Sequence, residues 1–276
     1  MRIGDKLFID KCNYDIINWL KRNDAMEIVI DNIVINYEKE GQGQPVIVMH
    51  GWGQNVEMMY SIVAALKNDY EVYNIDLPGH GQSDEPLTPY TIDDYTSFLE
   101  EFIKLNNINN PIIVGHSFGC RIAIRYASRN DNLDKMVLTG AAGIMPKRSF
   151  LYYFRIYTYK FFKLFKDVPF VKHYVREMID NGGSEDYRNS SPIMKEVVKN
   201  TVNTDLTPYL EEIKVPTLLI FGSNDTATPL WMGKLMEEKI KKSKLIVYEG
   251  ASHYAYLERI TDFNRDMLEF LKEGDQ

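Results

Sequence analysis

The chain has 276 residues, 45% of them hydrophobic and 26% charged, and 32 Lys and Arg stand against 39 Asp and Glu for a formal net charge of −7 at pH 7. These values exclude disordered, collagenous and disulfide-framework chains, and the acidic balance disfavours nucleic acid as a partner. The longest apolar runs, such as Val46-Ile-Val-Met49 and Leu218-Leu-Ile-Phe221, fall far short of the roughly 18 residues of a membrane span, so no integral membrane association is expected.

In chain order, residues 1–25 precede the first strand signal and read as an extension, with a helical pattern around Tyr14 to Lys21. Glu27–Ile30 and Ile33–Tyr37 flank Asp31-Asn32, a pair that tolerates positive φ, and predict a hairpin. Pro45–Met49 and Tyr70–Ile75 read as strands separated by a helical pattern from Val56 to Leu66, which implies a parallel sheet. Thr91 and Asp94 have the spacing of a helix cap for a helix to about Leu105. Strand Pro111–Val114, helix Phe118–Arg129 and strand Lys135–Leu138 follow. From Ile144 to Leu206 the sequence has no clear strand. Alternation resumes with strand Pro216–Phe221, helix Pro229–Ile240, strand Leu245–Tyr248 and helix Asp262–Leu271. The expected fold is α/β: a doubly wound, mostly parallel eight-stranded sheet with a helical cap inserted after the sixth strand. The expected domains are an extension (1–25), a core (26–143 and 207–276) and a cap (144–206).

Strand Pro111–Val114 runs into Gly115-His116-Ser117-Phe118-Gly119 and then at once into a helix pattern. A sharp strand-to-helix turn of this kind needs glycines where a Cβ would collide with its neighbours, and it holds the central serine out of the sheet. A serine hydroxyl attacks well only when a base takes its proton and a third group fixes that base. Asp225 follows the seventh strand and His253 follows the eighth, at the sheet edge where sites assemble in open α/β folds. His50 and His116 neighbour site-loop glycines, where backbone hydrogen bonds are the expected role; His80 lies in a turn and His173 in the insertion. Asp76 and Asp84 read as braces of their loop. Developing negative charge on an acyl oxygen needs rigid donors, and the backbone N–H groups of Trp52, in His50-Gly51-Trp52-Gly53, and of Phe118 are placed to supply them. The Trp52 side chain is expected in the pocket wall.

Taken together these elements resemble the α/β-hydrolase superfamily, whose small bacterial members also have loops similar to Asp76-Leu-Pro-Gly-His-Gly-Gln-Ser83 and Asp225-Thr-Ala-Thr-Pro229. The resemblance covers roughly residues 27–143 and 207–276, and it implies a serine mechanism through an acyl-enzyme, without cofactor or metal. Haloalkane dehalogenases and epoxide hydrolases of this fold carry an Asp where this chain has Ser117. Proline iminopeptidases have a Gly-Gly-Pro-Gly turn where this chain has Gly51-Trp52-Gly53-Gln54. The form His50-Gly51-Trp52-Gly53 is similar to that of pimeloyl-ester carboxylesterases.

Nine aromatic residues fall within 150–165. That is more than one buried helix face needs, so some rings, Phe154, Tyr157 and Phe161 among them, are expected to line a substrate cavity. Lys147, Arg148, Arg155, Lys160, Lys163 and Lys166 are interleaved with them and read as a solvated basic face with buried stems. The sharper alternatives are attraction of an anionic substrate tail and weak peripheral contact with an anionic membrane surface. The expected activity is hydrolysis of a small-to-medium apolar or aromatic carboxylic ester. C–C bond or thioester hydrolysis on the same apparatus, and a triad-bearing small-molecule receptor or signalling partner with slow turnover, are the alternatives. Charges at Asp5, Lys6, Asp10 and Lys11 interrupt any apolar signal core, and Cys12 and Cys120 read as reduced thiols, so the expected location is the cytoplasm.

Overall fold

The structure, a computed structural model, describes residues 25–145, Thr158 and residues 190–273. The expected helix around Tyr14, the aromatic residues Phe154, Tyr157 and Phe161, the basic residues from Lys147 to Lys166, and His173 lie outside the described residues.

Eight strands form one sheet: β1 (Ala25–Ile30), β2 (Ile33–Glu40), β3 (Gln44–Met49), β4 (Tyr70–Ile75), β5 (Ile112–His116), β6 (Met136–Thr139), β7 (Thr217–Gly222) and β8 (Ser243–Tyr248). Their spatial order is β1-β2-β4-β3-β5-β6-β7-β8. Only the β1–β2 and β2–β4 pairs are antiparallel; the rest of the sheet is parallel. The mostly parallel, eight-stranded α/β sheet expected from the sequence is the one observed. The hairpin turns at Asp31 (φ 53°) and Asn32 (φ 64°), the pair of left-handed residues that matches the twist of two antiparallel strands.

Helices α1 (Tyr60–Leu66) and α7 (Ile260–Lys272) cover one face, and α2 (Ile92–Leu105), α3 (Phe118–Arg129) and α5 (Leu230–Lys239) cover the other; α4 (Pro192–Val202) joins the core on that second side through Met194 and Val197, and α6 (Ala255–Glu258) is a short turn before α7. The strand period of two decides the split. In β3, Val46 and Val48 belong to the same buried core as Ile62, Val63, Phe263 and Met267, whereas Ile47 and Met49 belong to the core that holds Phe98, Phe102, Ile122 and Met232. Helix α2 starts where the sequence predicts: Thr91 Oγ1 accepts the Asp94 N–H and the Asp94 carboxylate accepts the Thr91 N–H.

Some boundaries differ from expectation. The first strand starts at Ala25, which pairs with Glu38. The segment expected as one helix from Val56 is a 3₁₀ turn, Val56–Met59, followed by α1; its first N–H is bonded by the Asp76 carboxylate at 2.8 Å, a tertiary partner invisible to periodicity. Strand β8 begins at Ser243, because Thr217 at the start of β7 gives it a partner there.

The topology places the site. From β3 the chain moves outward to β4 and then returns across β3 to β5, so the sheet reverses its winding between β3 and β5. In doubly wound sheets ligands bind beyond the carboxyl ends of the strands at that switch point, and the loops following β3 and β5 begin there. Between β6 and β7, which are adjacent and parallel, the chain leaves the sheet and returns through α4. No helix among the described residues is long and apolar enough to cross a membrane.

Candidate active site

Ser117 stands between β5 and α3 at φ 49° and ψ −100°, a strained conformation for a residue with a side chain. Its surroundings leave no alternative. A Cβ at Gly119 would lie 2.5 Å from the Met49 carbonyl oxygen, and one at Gly115 would lie 3.0 Å from the Cys120 nitrogen. The strand therefore turns into the helix with α3 held hard against β3, and the Ser117 N–H donates to the Thr139 carbonyl at 3.1 Å. The serine hydroxyl is the first group beyond the strand.

Asp225 and His253 come together because β7 and β8 are parallel neighbours, with Gly222 opposite Tyr248. The loops that follow are stitched to each other: the Ser223 N–H donates to Tyr248 O at 3.1 Å and the Asn224 N–H to Ala251 O at 2.9 Å. At Gly222 a Cβ would stand 2.3 Å from the Ala251 carbonyl oxygen, so only glycine permits this approach. His253 Nδ1 then lies 2.8 Å from Asp225 Oδ2, and His253 Nε2 lies 2.9 Å from Ser117 Oγ. With Nδ1–H donating to the carboxylate, Nε2 is the acceptor that faces the serine hydroxyl.

The Asp225 side chain is fully buried and that of His253 is 18% exposed. Burial pushes the Asp225 carboxyl upward, but donors oppose it: His253, the Thr228 N–H and the Thr228 hydroxyl together hold it below the ordinary aspartate value. The Ala227 and Thr228 N–H groups each reach Oδ1 at 2.8 Å, and Thr228 Oγ1 donates to Oδ2 at 2.7 Å. The sequence reading did not single out Thr228; its spacing from Asp225, an acidic residue three positions before a threonine ahead of a helix, was the available signal.

Three other histidines are occupied elsewhere. His50 Nδ1 donates to Gly51 O at 2.7 Å while Nε2 accepts the Leu77 N–H at 3.1 Å. His80 Nδ1 lies 3.1 Å from Pro78 O, and His116 Nδ1 3.2 Å from Thr139 O. Burial is the main cause that lowers His50 to about 4 and His80 and His116 to about 3, so all three are neutral at pH 7. The His116 ring supports the site from below, 4.8 Å from the His253 ring. Asp76 accepts from Asn36 Nδ2 and from the N–H groups of Val56 and Gln82, and Asp84 from the Val34 N–H; both brace the loop after β4.

The loop after β3 is rigid for local reasons. Gln54 Oε1 accepts the Gly51 N–H at 2.9 Å, the His50 carbonyl accepts the Gly119 N–H at 3.1 Å, and Gly53 takes φ 69°. The Trp52 ring packs edge-on against Phe118 at 5.2 Å and His80 at 4.7 Å. Trp52, Ser117 and Phe118 line a cleft of about 330 Å³ together with Arg121, Ala142, Gly143, Ile144, Met145, Val202, Ala227, Thr228 and Met232. Arg121 in this wall was not anticipated from the sequence, although it follows Ser117 by one helical turn.

Comparisons with known proteins agree with this architecture. The family model described as alpha/beta hydrolase fold matches residues 44–176, and one described as TAP-like protein matches residues 193–276. The chain is 28% identical to AB hydrolase superfamily protein YisY of Bacillus subtilis (strain 168), over 87% of this chain and 96% of the relative. It is 24% identical to 2-hydroxy-6-oxo-6-phenylhexa-2,4-dienoate hydrolase of Comamonas testosteroni (88% and 93% covered). It is 26% identical to pimeloyl-[acyl-carrier protein] methyl ester esterase of Legionella pneumophila (strain Paris) (86% and 99% covered). Among solved structures, the bromoperoxidase from Bacillus anthracis is similar at 28% identity and a TM-score of 0.72, covering 90% of this chain and all of the other.

Proposed function

The chain belongs to the α/β-hydrolase superfamily, and from that premise we propose that it is a serine hydrolase cleaving a small-to-medium apolar or aromatic carboxylic ester. The reading is carried by one observation: an unbroken hydrogen-bonded line from Asp225 through His253 to Ser117 that ends in a cleft.

In this mechanism Ser117 Oγ attacks the ester carbonyl as His253 Nε2 takes its proton, and Asp225 stabilises the imidazolium that forms. The tetrahedral oxyanion is held by the backbone N–H groups of Trp52 and Phe118. Neither has an acceptor among the described residues, and Phe118 opens α3, where the helix dipole favours negative charge. His253 then gives the proton to the leaving alcohol, and the acyl-enzyme is released by water activated by the same imidazole. Residues 144–206 act as a cap over the cleft, and the enzyme works in the cytoplasm. An apolar or aromatic acyl chain is favoured by Trp52, Phe118, Ile144, Met145, Val202 and Met232, which make up much of the wall.

The test is the time course of p-nitrophenyl butyrate hydrolysis by the purified protein beside Ser117→Ala. Sustained turnover that the variant loses is expected. A single burst of about one equivalent, or equal activity in the variant, overturns the reading; the first outcome points to a receptor that acylates once.

A further inference from the structure

Arg121 has no part in the hydrolytic steps, yet it sits in the wall of the same cleft as Ser117. Four residues, about 6 Å of helix rise, separate the two. Only 7% of Arg121 is exposed. Its Nη1 donates to the carbonyls of Thr201 and Thr204, each at 2.9 Å, at the C-terminal end of α4. Among the described residues it makes no ion pair and no other hydrogen bond. Burial lowers the guanidinium to about 10, which the nearby charge of Asp205 partly opposes, so it stays positive at pH 7. Asp205 itself directs Oδ1 to the Met145 N–H and to the N–H and hydroxyl of Thr207.

A buried cation without a carboxylate partner is costly, and the partial negative charge at a helix end offsets only part of that cost. Two carbonyls occupy one nitrogen; Nε and Nη2, the edge of the guanidinium that binds a carboxylate side-on, keep their donors free of acceptors among the described residues. The cleft that Arg121 lines is largely apolar, with Ile144, Val202 and Met232 in its wall, so an anion that reached the guanidinium there would be attracted far more strongly than in water.

We propose that Arg121 is a specificity-determining residue and that the substrate is the hemiester of a dicarboxylic acid, its free carboxylate anchored by Arg121 while Ser117 attacks its ester carbonyl. A short apolar spacer joins the two groups across the Ile144, Val202 and Met232 wall. The proposal rests on the hydrolase reading of Ser117 and narrows its substrate class.

The experiment compares mono-p-nitrophenyl glutarate with p-nitrophenyl pentanoate, which has a methyl group in place of the carboxylate. The wild type is expected to favour the glutarate ester in kcat/KM by about tenfold or more, chiefly through KM, and Arg121→Gln to bring the ratio close to one. Arg121→Lys, which keeps the charge but not the planar fork, is expected to fall between them. A wild type without this preference, or a ratio unchanged in Arg121→Gln, overturns the proposal; an arginine that only ties α3 to α4 would lower both activities in parallel. A binding measurement separates the proposal from the hydrolase reading and covers a variant that fails to fold. Monomethyl glutarate should raise the melting temperature of Ser117→Ala, which retains Arg121, and methyl pentanoate should not. That shift without turnover of either ester by the wild type would sink the hydrolase reading and keep the anion site; equal shifts would sink the anion site.

Discussion

Thr228 Oγ1 donates to the same Asp225 oxygen, at 2.7 Å, that receives His253 Nδ1 at 2.8 Å. Two donors thus converge on Oδ2 while Oδ1 takes the N–H groups of Ala227 and Thr228. The threonine helps to keep the carboxylate ionised and aimed. Thr228→Val removes one charge-assisted hydrogen bond at near-constant volume, and kcat for p-nitrophenyl butyrate is expected to fall about tenfold. Thr228→Ser should recover most of the loss, and an inactive Ser variant would show that the methyl group matters more than the hydroxyl.

Asp225→Asn keeps the size and the two N–H bonds to Oδ1 but removes the charge and turns an NH2, in place of Oδ2, towards His253 and Thr228. The tautomer that presents Nε2 as acceptor loses its partner, and kcat is expected to drop by about 10³–10⁴. The melting temperature should move little, which circular dichroism checks; retention of more than a tenth of the wild-type rate would remove Asp225 from the mechanism.

Stability should fall steeply with acid. In the unfolded chain His50, His80 and His116 take protons near pH 6.5, whereas in the fold burial delays them to about 4, 3 and 3. The unfolded state therefore binds more protons below 6.5, and stability is lost as pH falls from there toward 4, by at most about 4 kcal/mol per pH unit once all three differ. Asp225, also held low, adds to the loss below its unfolded value near 3.9. Urea unfolding at pH 7.0, 5.5 and 4.5 measures the slope, and His80→Asn should flatten it by about one proton; a stability independent of pH over this range contradicts the burial of these rings.

Two glycines separate collision from backbone strain. At Gly119 a Cβ would meet the Met49 carbonyl oxygen at 2.5 Å, a backbone atom that cannot step aside, so Gly119→Ala should cost about 3 kcal/mol and displace the Trp52 loop. At Gly250 nothing lies within 4 Å but φ is 79°, and Gly250→Ala should cost only about 1–2 kcal/mol and leave turnover intact. Equal losses in both would mean that α3 can draw back from β3.

The fold was legible wherever a local physical demand left its mark on neighbouring residues. The short apolar run in Pro45–Met49, the Asp31-Asn32 pair, the Thr91–Asp94 cap and the glycines beside Ser117 each answer a local requirement that holds within a few positions. Arg121 was not legible, because what matters about it is a partner far along the chain: it bonds carbonyls 80 and 83 residues away. Thr228 lies only three residues from Asp225, but that spacing gains its meaning once Asp225 is set against His253, 28 residues on. The 3₁₀ turn at Val56 escaped for the same reason, since its distinguishing contact is Asp76.

By itself the sequence determined the strands and helices, the strained turn at Ser117, and the positions of Asp225 and His253 just past two later strands, because dihedral preferences and hydrophobic periods act over short stretches of chain. Only the tertiary structure decided the strand order, the meeting of three side chains from three separate loops, and the burial that keeps His50, His80 and His116 neutral. Those outcomes depend on which surfaces are buried against one another, and burial is a property of the packed sheet and helices that no single segment contains.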